Sequence, residues 1–452
     1  MTATDTPPDT LVQVLPEPLS TEQQTWLERA WRALQPTELT ELDRALTSIP
    51  SPTGQERAIA EFLVQHLAEA GLESTYQPID DEQGNAIGRL RGSGEGPDLL
   101  LYAPTDTAFS GDPEEELPWL GSSVRADLAP HGVLQDDYVI GLGAENPKAY
   151  VTCVVAAALA VKRAGIPLRG SLLVGLGAGG MPTNRRPGVN RANAGQGNGC
   201  SFMLEQGARG DFAILAKPGY AVSWEEVGLC WFKVRVRGRL GYTGIRHIVP
   251  YKNPIVDAAT VIAGLEEWFP RYSARHTSGL VAPQGSIGAI RGGWTHKPAF
   301  VPAATDLYVD IRVSPRSDPL QVKRELGQAL AEIQAAHPGL EVEHEMILSI
   351  PGTRTDPRNW IVQSLMRAWE HREGQPHTPI TGTSGATDAA ILRGRGIPTA
   401  RLGLPRTPPH PAYPGFSMGA ATPAAMQRLT ECLIYSIVDT CTRDRAAVGL
   451  AA

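Results

Sequence analysis

The sequence lacks the features of a membrane protein, a disulfide framework or a nucleic-acid-binding protein. No apolar run approaches the ~20 residues that a membrane-spanning helix requires. The five cysteines are odd in number, widely scattered and without a C-x-x-C spacing, so we expect no disulfide framework. The net charge of −7, with no sustained basic run, gives no general attraction to nucleic acid or anionic membranes.

The beginning of the chain also lacks the pattern of a secretory signal. Residues 1–19 contain prolines and acidic residues, without a basic start followed by an apolar core. Their low apolar content predicts a disordered tail. The absence of a signal-like pattern, the scattered cysteines and the negative net charge together predict a cytoplasmic protein with neither nucleic acid nor membrane among its partners.

The remaining composition is that of a globular protein with many irregular loops. Hydrophobic residues make up 42% and charged residues 20%, so a sizeable core is expected. The 47 glycines and 38 prolines predict many loops with special backbone geometry. A length of 452 residues favours two domains over one.

Short apolar runs and amphipathic helical patterns alternate through the first half of the chain. Buried strands are predicted at DLLLYAP, SLLVGLGAG and DFAILAKP. Ser20 is placed to cap a first helix, and residues 147–165 predict a buried helix that begins at Pro147. The alternation predicts an α/β fold with a mixed, largely parallel sheet flanked by helices.

The pattern changes near residue 229. The run LCWFKVRVRGRLG alternates apolar with basic residues, which predicts a half-exposed strand, and helices and further strands follow. The α/β character returns at Pro351. The sequence therefore predicts an α/β domain built from 20–228 and 351–446, with an inserted α+β lid or dimerisation domain at 229–350.

Two glycine-rich stretches suggest functional roles that must be compared with purely structural ones. GLGAGG at 175–180 matches G-x-G-x-x-G, but no helix follows, so a tight or mobile loop is favoured over a dinucleotide site. The long loop 182–200 carries Arg185, Arg186, Asn190 and Asn193 and is a candidate gate, with plain disorder as the alternative. The ten histidines form no H-E-x-x-H or H-x-H pair, so spacing alone indicates no metal site.

Seven segments, in order over roughly residues 37–445, resemble the M20 family of metallohydrolases. That family includes acetylornithine and succinyl-diaminopimelate deacylases, aminoacylases and glutamate carboxypeptidase. The similar segments are LLLYAPTD, GLGAENPK, SLLVGLGAGGMP, ILAKPG, RGRLGYTG, YVDIRVSP and TSGATDAA with the following ARLGL and a final histidine. The resemblance implies the α/β fold with an inserted lid and a homodimer formed through that lid.

The sequence departs from the family at the positions that carry its chemistry. The family binds two zinc ions through histidines and acidic residues, with a bridging aspartate and a glutamate as general base. At the matching positions this sequence has Pro104, Asn146, Gly179, Gly180, Lys217 and His410, and the lid histidine is matched by Tyr242. Zinc requires about three or four imidazole or anionic donors, and an ammonium group repels a dication. The departures therefore predict no metal cofactor.

The residues that remain still permit polar catalysis. Lys217, His410, Asp106 and Tyr242 are the candidate catalytic residues, and Asn146, Arg312 and His247 are candidates for substrate binding. An ammonium at 217 can polarise a carbonyl or pair with a carboxylate, and Asp106 with His410 gives an acid/base pair. Arg312 has a structural salt bridge as its alternative role.

We therefore expect a hydrolase-like enzyme that acts without zinc on a small molecule with amide and carboxylate groups. Two alternatives remain open. One is a non-catalytic homologue that binds a ligand or a partner. The other is a zinc-dependent amidohydrolase or peptidase with a rearranged site, in which Glu145 serves as a ligand.

Overall fold

The computed structural model describes residues 12–120, 125–183, 194–406, 410–411 and 418–451. The chain forms two compact units. Within the described residues, the larger unit comprises 12–224, 355–380 and 387–451, and the smaller comprises Glu225–Arg354 and Thr381–Ala386. The chain divides after Trp224 and after Arg354, and residues 381–386 group with the smaller unit.

The described residues contain eleven α-helices. They are α1 (Thr21–Ala33), α2 (Pro36–Thr47), α3 (Arg57–Glu69), α4 (Pro113–Leu120), α5 (Tyr150–Arg163), α6 (Asn198–Glu205), α7 (Pro254–His276), α8 (Pro319–Ala336), α9 (Trp360–Glu373), α10 (Ala389–Gly394) and α11 (Pro423–Cys441). None of these helices combines the length and the apolar character that crossing a membrane would demand.

Seventeen strands lie within the same residues. They are β1 (Glu73–Pro78), β2 (Gly84–Leu90), β3 (Leu99–Pro104), β4 (Val133–Gln135), β5 (Tyr138–Ile140), β6 (Leu172–Gly177), β7 (Phe212–Ala216), β8 (Glu225–Glu226), β9 (Gly228–Arg237), β10 (Gly241–Tyr242), β11 (Gly285–Gly292), β12 (Phe300–Val301), β13 (Ala304–Val313), β14 (Glu341–Ile350), β15 (Thr353–Arg354), β16 (Thr399–Leu402) and β17 (Ala420–Ala421).

The larger unit is built on a six-stranded sheet in the order β1-β2-β6-β3-β7-β16. The strands β6, β3, β7 and β16 are parallel neighbours, while β1 and β2 pair in antiparallel fashion. Every residue of β3, β6 and β7 is buried, because their near-continuous apolar runs are covered by helices on both faces. This sheet confirms the predicted mixed, largely parallel α/β fold.

Parallel pairing brings the carboxyl ends of four strands to one edge of the sheet. Pro104 ends β3, Gly177 ends β6, and Lys217 follows β7 directly. In open α/β sheets this edge is the usual place for a ligand. The candidate site is therefore expected there.

The helix that leads away from this edge begins later than expected. The sequence predicted a helix from Pro147, whereas α5 begins at Tyr150 and is preceded by a π-helical turn at Ala144–Ala149. Asn146 has a non-helical backbone within that turn, with φ −127° and ψ 105°. The residue before a proline is disfavoured in the α-helical region, which explains the departure at Asn146.

The smaller unit contains a four-stranded antiparallel sheet in the order β11-β13-β9-β14. Buried and partly exposed residues alternate along β9, which confirms the predicted half-exposed strand. Its buried face packs with α7 and α8 into one apolar cluster. The other face carries cross-strand ion pairs such as Arg235 with Asp306 and Lys233 with Glu345.

Part of the tail that the sequence predicted to be disordered packs against the larger unit. Residues 12–19 form no helix or strand, but Leu19 is buried and the Leu15 backbone N–H donates to Gln363 Oε1 at 2.7 Å. Residues 1–11 lie outside the described part of the chain. Ser20 then caps α1 through a reciprocal pair of hydrogen bonds with Gln23, as predicted.

A buried ion pair between α9 and α11 predicts a measurable stability difference. Arg367 Nη2 donates to Asp439 Oδ2 at 2.7 Å, and both side chains are buried. Arg367→Met should lower the free energy of unfolding by about 2–3 kcal/mol, because it removes a charge-assisted hydrogen bond from a buried carboxylate. Urea denaturation measures this change.

The matched control is Arg358→Met, which removes an exposed ion pair with Asp356 in the loop before α9. It should change the free energy of unfolding by no more than about 0.5 kcal/mol. Equal effects of the two substitutions would show that burial does not set the strength of the Arg367 pair.

Candidate functional site

The carboxylate of Asp106 lies at the tip of β3 and is fully buried. Its Oδ1 accepts a hydrogen bond from the Gly180 backbone N–H at 2.7 Å. Its Oδ2 accepts from the Met181 backbone N–H at 3.0 Å and from Thr53 Oγ1 at 2.6 Å. Both oxygens are therefore engaged, and Asp106 holds the loop that follows β6 against the end of β3.

A second buried carboxyl group, Glu56, holds the same loop from the other side. Its Oε1 accepts from the backbone N–H groups of Gly54 at 2.8 Å and Gly179 at 3.0 Å. Burial first, and then the negative charge of Asp106, raise the pKa of Glu56 to about 8, against the opposing effect of those hydrogen bonds. No sequence motif indicated Glu56.

Asp106, unlike Glu56, has a nearby ammonium group that lowers its pKa. Burial raises the pKa of Asp106 above its ordinary value, while its hydrogen bonds and the ammonium of Lys217 oppose the increase. Lys217 therefore lies close enough to act as a counter-charge for this carboxylate.

The glycines of GLGAGG make room for neighbouring side chains. A Cβ at Gly177 would lie 2.1 Å from Tyr102 Oη, and one at Gly180 would lie 2.3 Å from Pro104 Cβ. Gly179 has φ +62°, and a Cβ there would lie 2.0 Å from Asn198 Oδ1. The motif ends β6 and continues into a tightly packed loop, in which the two positions that the resemblance matches to the family's glutamates have no space for a side chain.

Lys217 is 4% exposed and faces Asn146 across the sheet edge. Its Nζ donates to Asn146 Oδ1 at 2.8 Å and lies 3.7 Å from Met181 Sδ. The Asn146 backbone N–H donates to the carbonyl of Met418 at 3.1 Å, and its side-chain Nδ2 donates to Met418 Sδ at 3.5 Å, which holds the side-chain amide. Two positions that the resemblance assigns to metal ligands are thus joined directly by a hydrogen bond.

His410 is 4% exposed and belongs to the same unit. Its Nε2 lies 3.8 Å from Asp136 Oδ2, in the turn between β4 and β5. The ring of Tyr138 meets the imidazole edge-on, with 5.2 Å between the ring centroids. The sequence had not indicated Asp136 or Tyr138, because no short motif links the hairpin to residue 410.

Three predicted site residues belong to the smaller unit. Tyr242 is 46% exposed and its ring lies 5.3 Å from that of Phe300. His247 is exposed, and Arg312 forms an ion pair with Asp310 at 3.0 Å. Their participation in catalysis or substrate binding stays a prediction.

The predicted gate at 182–200 falls mainly on residues outside the described part of the chain. Arg185, Arg186, Asn190 and Asn193 all lie there, so the gate also stays a prediction. In the larger unit, Met181 contacts both Asp106 and Lys217, and Lys217 donates to Asn146.

The residues present do not fit a dinuclear zinc centre. Of the matched positions, His410 alone offers a donor that zinc favours, and glycines occupy the places of two acidic residues. Across the residues that the structure describes, no group of three or more His, Cys, Asp or Glu side chains is arranged to hold a metal ion. Glu145 is half-buried, and burial raises its pKa to about 7.

The contact between residues 104 and 180 can be tested by adding one methyl group. Gly180→Ala places a Cβ against the rigid ring of Pro104 and should lower the free energy of unfolding by about 1–3 kcal/mol. Gly394→Ala in α10 is the control, because no atom lies within 4 Å of its added Cβ. The control should be neutral or stabilising by up to about 1 kcal/mol. Equal stability of the two variants in thermal unfolding would disprove the packing role of Gly180.

The carboxyl group of Glu56 predicts a pH dependence of stability. Above its ordinary pKa of 4.5 the unfolded chain releases this proton, whereas the folded protein keeps it until about pH 8. The free energy of unfolding should therefore fall as the pH rises through this range, by at most about 5 kcal/mol from this group. Glu56→Gln preserves the Oε1 acceptor and removes the ionisation.

The measurement is the difference in unfolding free energy between the wild type and Glu56→Gln at several pH values from 4.5 to 8.5. The variant should gain stability relative to the wild type as the pH rises, because titrating groups that do not interact with Glu56 cancel in the difference. A difference that does not change with pH would show that Glu56 ionises normally in the folded protein.

Comparisons with known proteins agree with this architecture. Residues 225–338 match the M20_dimer family, described as the peptidase dimerisation domain. Over 225 residues the chain is 27% identical to succinyl-diaminopimelate desuccinylase from Methylorubrum extorquens. That alignment covers 47% of this chain and 53% of the other, so the chain spans about half the length of this curated relative.

Two solved structures show the likeness of the fold over nearly the whole chain. The dipeptidase Dug1p from Saccharomyces cerevisiae has a TM-score of 0.67 at 12% identity, covering 92% of this chain and 98% of that one. The YXEP protein from Bacillus subtilis, a dinuclear metal-binding peptidase of the M20 family, has a TM-score of 0.59 at 16% identity, covering 89% and 98%. The chain therefore has the fold of the M20 peptidases, and its smaller unit carries a peptidase dimerisation domain.

Proposed function

We propose that this chain is an M20-type enzyme that acts on a small amide or amino-acid-derived molecule without a dinuclear metal centre. The observation that carries the proposal is the 2.8 Å hydrogen bond from Lys217 Nζ to Asn146 Oδ1. It supports a positive charge at the sheet edge, at a position that the resemblance matches to a metal ligand of the family. An ammonium there supplies part of the electrostatic role of a cation.

The roles of the residues follow from their chemistry. The Lys217 ammonium would attract a substrate carboxylate or stabilise negative charge that develops on a carbonyl oxygen. Asn146 would hold the ammonium in place through its amide oxygen. His410 would transfer a proton, since an imidazole ring has nitrogens that can donate and accept protons. Asp106 would support the loop, because both of its oxygens already accept hydrogen bonds.

The substrate class rests on an analogy with the related proteins. The relatives are named a desuccinylase and a dipeptidase, whose substrates contain an amide bond close to a carboxylate. A buried ammonium is suited to that combination of groups. The dimerisation domain in turn supports a homodimer formed through the smaller unit.

A second function is favoured by one observation. The carboxylate of Asp106 meets three hydrogen-bond donors, and this leaves little capacity for it to act as a general base. A protein that binds such a ligand without turnover would need only Lys217 and Asn146. The experiment must therefore separate binding from catalysis.

The first measurement is the metal content of the purified protein by plasma mass spectrometry, before and after chelator treatment. We expect well below one divalent ion per chain and no change in melting temperature with the chelator. About two ions per chain, lost together with stability on chelation, would refute the metal-free proposal.

The second measurement uses Lys217→Met on a panel of dipeptides and N-acyl amino acids. Calorimetry should show at least one ligand whose affinity falls about 10–100-fold in the variant, because a charge-assisted contact is lost. Lys323→Met, at an exposed position on α8, is the control and should bind normally. Turnover of the bound ligand supports an enzyme, binding alone supports the second function, and equal affinities of the two variants refute the role of Lys217.

A further inference from the structure

The chain that follows Lys217 runs through residues 218–224, which we call the connecting segment, to the end of the first part of the larger unit. Within this segment, Ser223 exchanges two backbone hydrogen bonds with Arg401 of β16, each at 2.9 Å. The neighbouring polar groups need partners elsewhere, since a buried amide without a hydrogen bond is costly. Those partners decide how firmly the segment is held.

The helix α9 and the residues after it supply these partners. The backbone N–H of the buried Val222 donates to His377 Nε2 at 2.8 Å, and Trp369 Nε1 donates to the carbonyl of Tyr220 at 3.2 Å. The rings of Trp369 and His377 meet edge-on, with 5.2 Å between their centroids. An imidazole nitrogen therefore serves as the acceptor for a main-chain amide of the connecting segment.

The direction of the hydrogen bond from Val222 determines the state of the imidazole. A backbone N–H can only donate, so His377 Nε2 must accept with its lone pair, and the proton of the neutral ring lies on Nδ1. A protonated imidazole carries an N–H group on both nitrogens and has no acceptor to offer. Only the neutral ring can make this contact.

The surroundings of the ring also favour the neutral form. Burial lowers the pKa of His377 to about 4. On α9, Glu370 accepts a hydrogen bond from the His377 backbone N–H at 2.9 Å, and Glu373 accepts from Tyr220 Oη and Arg428 Nε. Among the residues that the structure describes, the buried Nδ1 has no hydrogen-bond partner, so no carboxylate is bonded to the ring to stabilise a positive charge.

We propose that His377 is an acid-sensitive anchor of the connecting segment, which holds Val222 as a neutral imidazole and releases it on protonation. The proposal does not rest on the proposed function. When the segment opens, the imidazole regains its ordinary pKa of 6.5, so a falling pH favours the open form between about pH 6.5 and pH 4. Because the segment begins next to Lys217, acid would loosen the chain at the candidate site.

Hydrogen exchange of the Val222 amide, measured by NMR and corrected for the intrinsic pH dependence of exchange, tests this anchor. With a pKa of about 4 in the closed segment and 6.5 in the open one, the protection factor should fall about 30-fold from pH 7.5 to pH 5. Amides of β7 should keep their protection, because the opening is local.

Two substitutions separate the acceptor from the ionisation. His377→Gln retains an acceptor oxygen and does not titrate, so the protection of Val222 should stay within about threefold of the wild type at pH 7.5 and should not fall at pH 5. His377→Met has no such acceptor and should lower the protection about tenfold at both pH values. If His377→Met does not fold, the profiles of the wild type and His377→Gln still decide the question.

His371→Gln is the matched control on α9, since the ring of His371 contacts Trp31 and Tyr435 instead. It should leave the pH dependence of Val222 exchange as in the wild type. A wild-type protection factor that does not change with pH, or a fall that persists in His377→Gln, would overturn the proposal. So would a 15N NMR spectrum at pH 7.5 that places the His377 proton on Nε2. Neither a ligand nor a metal enters these measurements, so they are independent of the tests of the proposed function.

Discussion

The hydrogen bonds and the charge pairing of the buried Asp106 carboxylate are the interactions on which the rest of the sheet edge depends. A carboxylate in the core is stable only when its oxygens are hydrogen-bonded and its charge is countered. The backbone of Gly180 and Met181 supplies two of the donors, and the ammonium of Lys217 supplies the opposing charge. The loop is thereby fixed in the position that brings Met181 against Lys217.

The residues that the resemblance matches to the family's metal site depend on one another. The ring of Pro104 occupies the space that a side chain at residue 180 would need, and Lys217 donates its hydrogen bond to Asn146. Residues in such direct contact do not act independently, so changing one position back toward a metal ligand would meet its altered neighbour. In the function that we propose, the sheet edge is an alternative packing arrangement of an M20-type fold, in which an ammonium group takes the position of metal ligands in the family.

Much of the fold could be predicted because it is encoded by local patterns. The apolar runs of β3, β6 and β7 indicated buried parallel strands, and the alternation along β9 indicated a strand with one exposed face. The sequence also led to Lys217 and Asn146 through the resemblance to the M20 family. It did not lead to Glu56, Asp136 or the packing of residues 12–19, because these depend on contacts between distant segments.

The sequence by itself determined the class of fold, since periodicity and residue identity are properties of short segments. Through the resemblance to the M20 family it also predicted the inserted domain and the loss of most metal donors. Only the tertiary structure decided what fills the site. Parallel strands bring residues 104, 180 and 217 to one edge, and a hairpin turn brings Asp136 to His410. Contacts between such distant residues depend on strand order and backbone direction, and no local pattern in the chain specifies them.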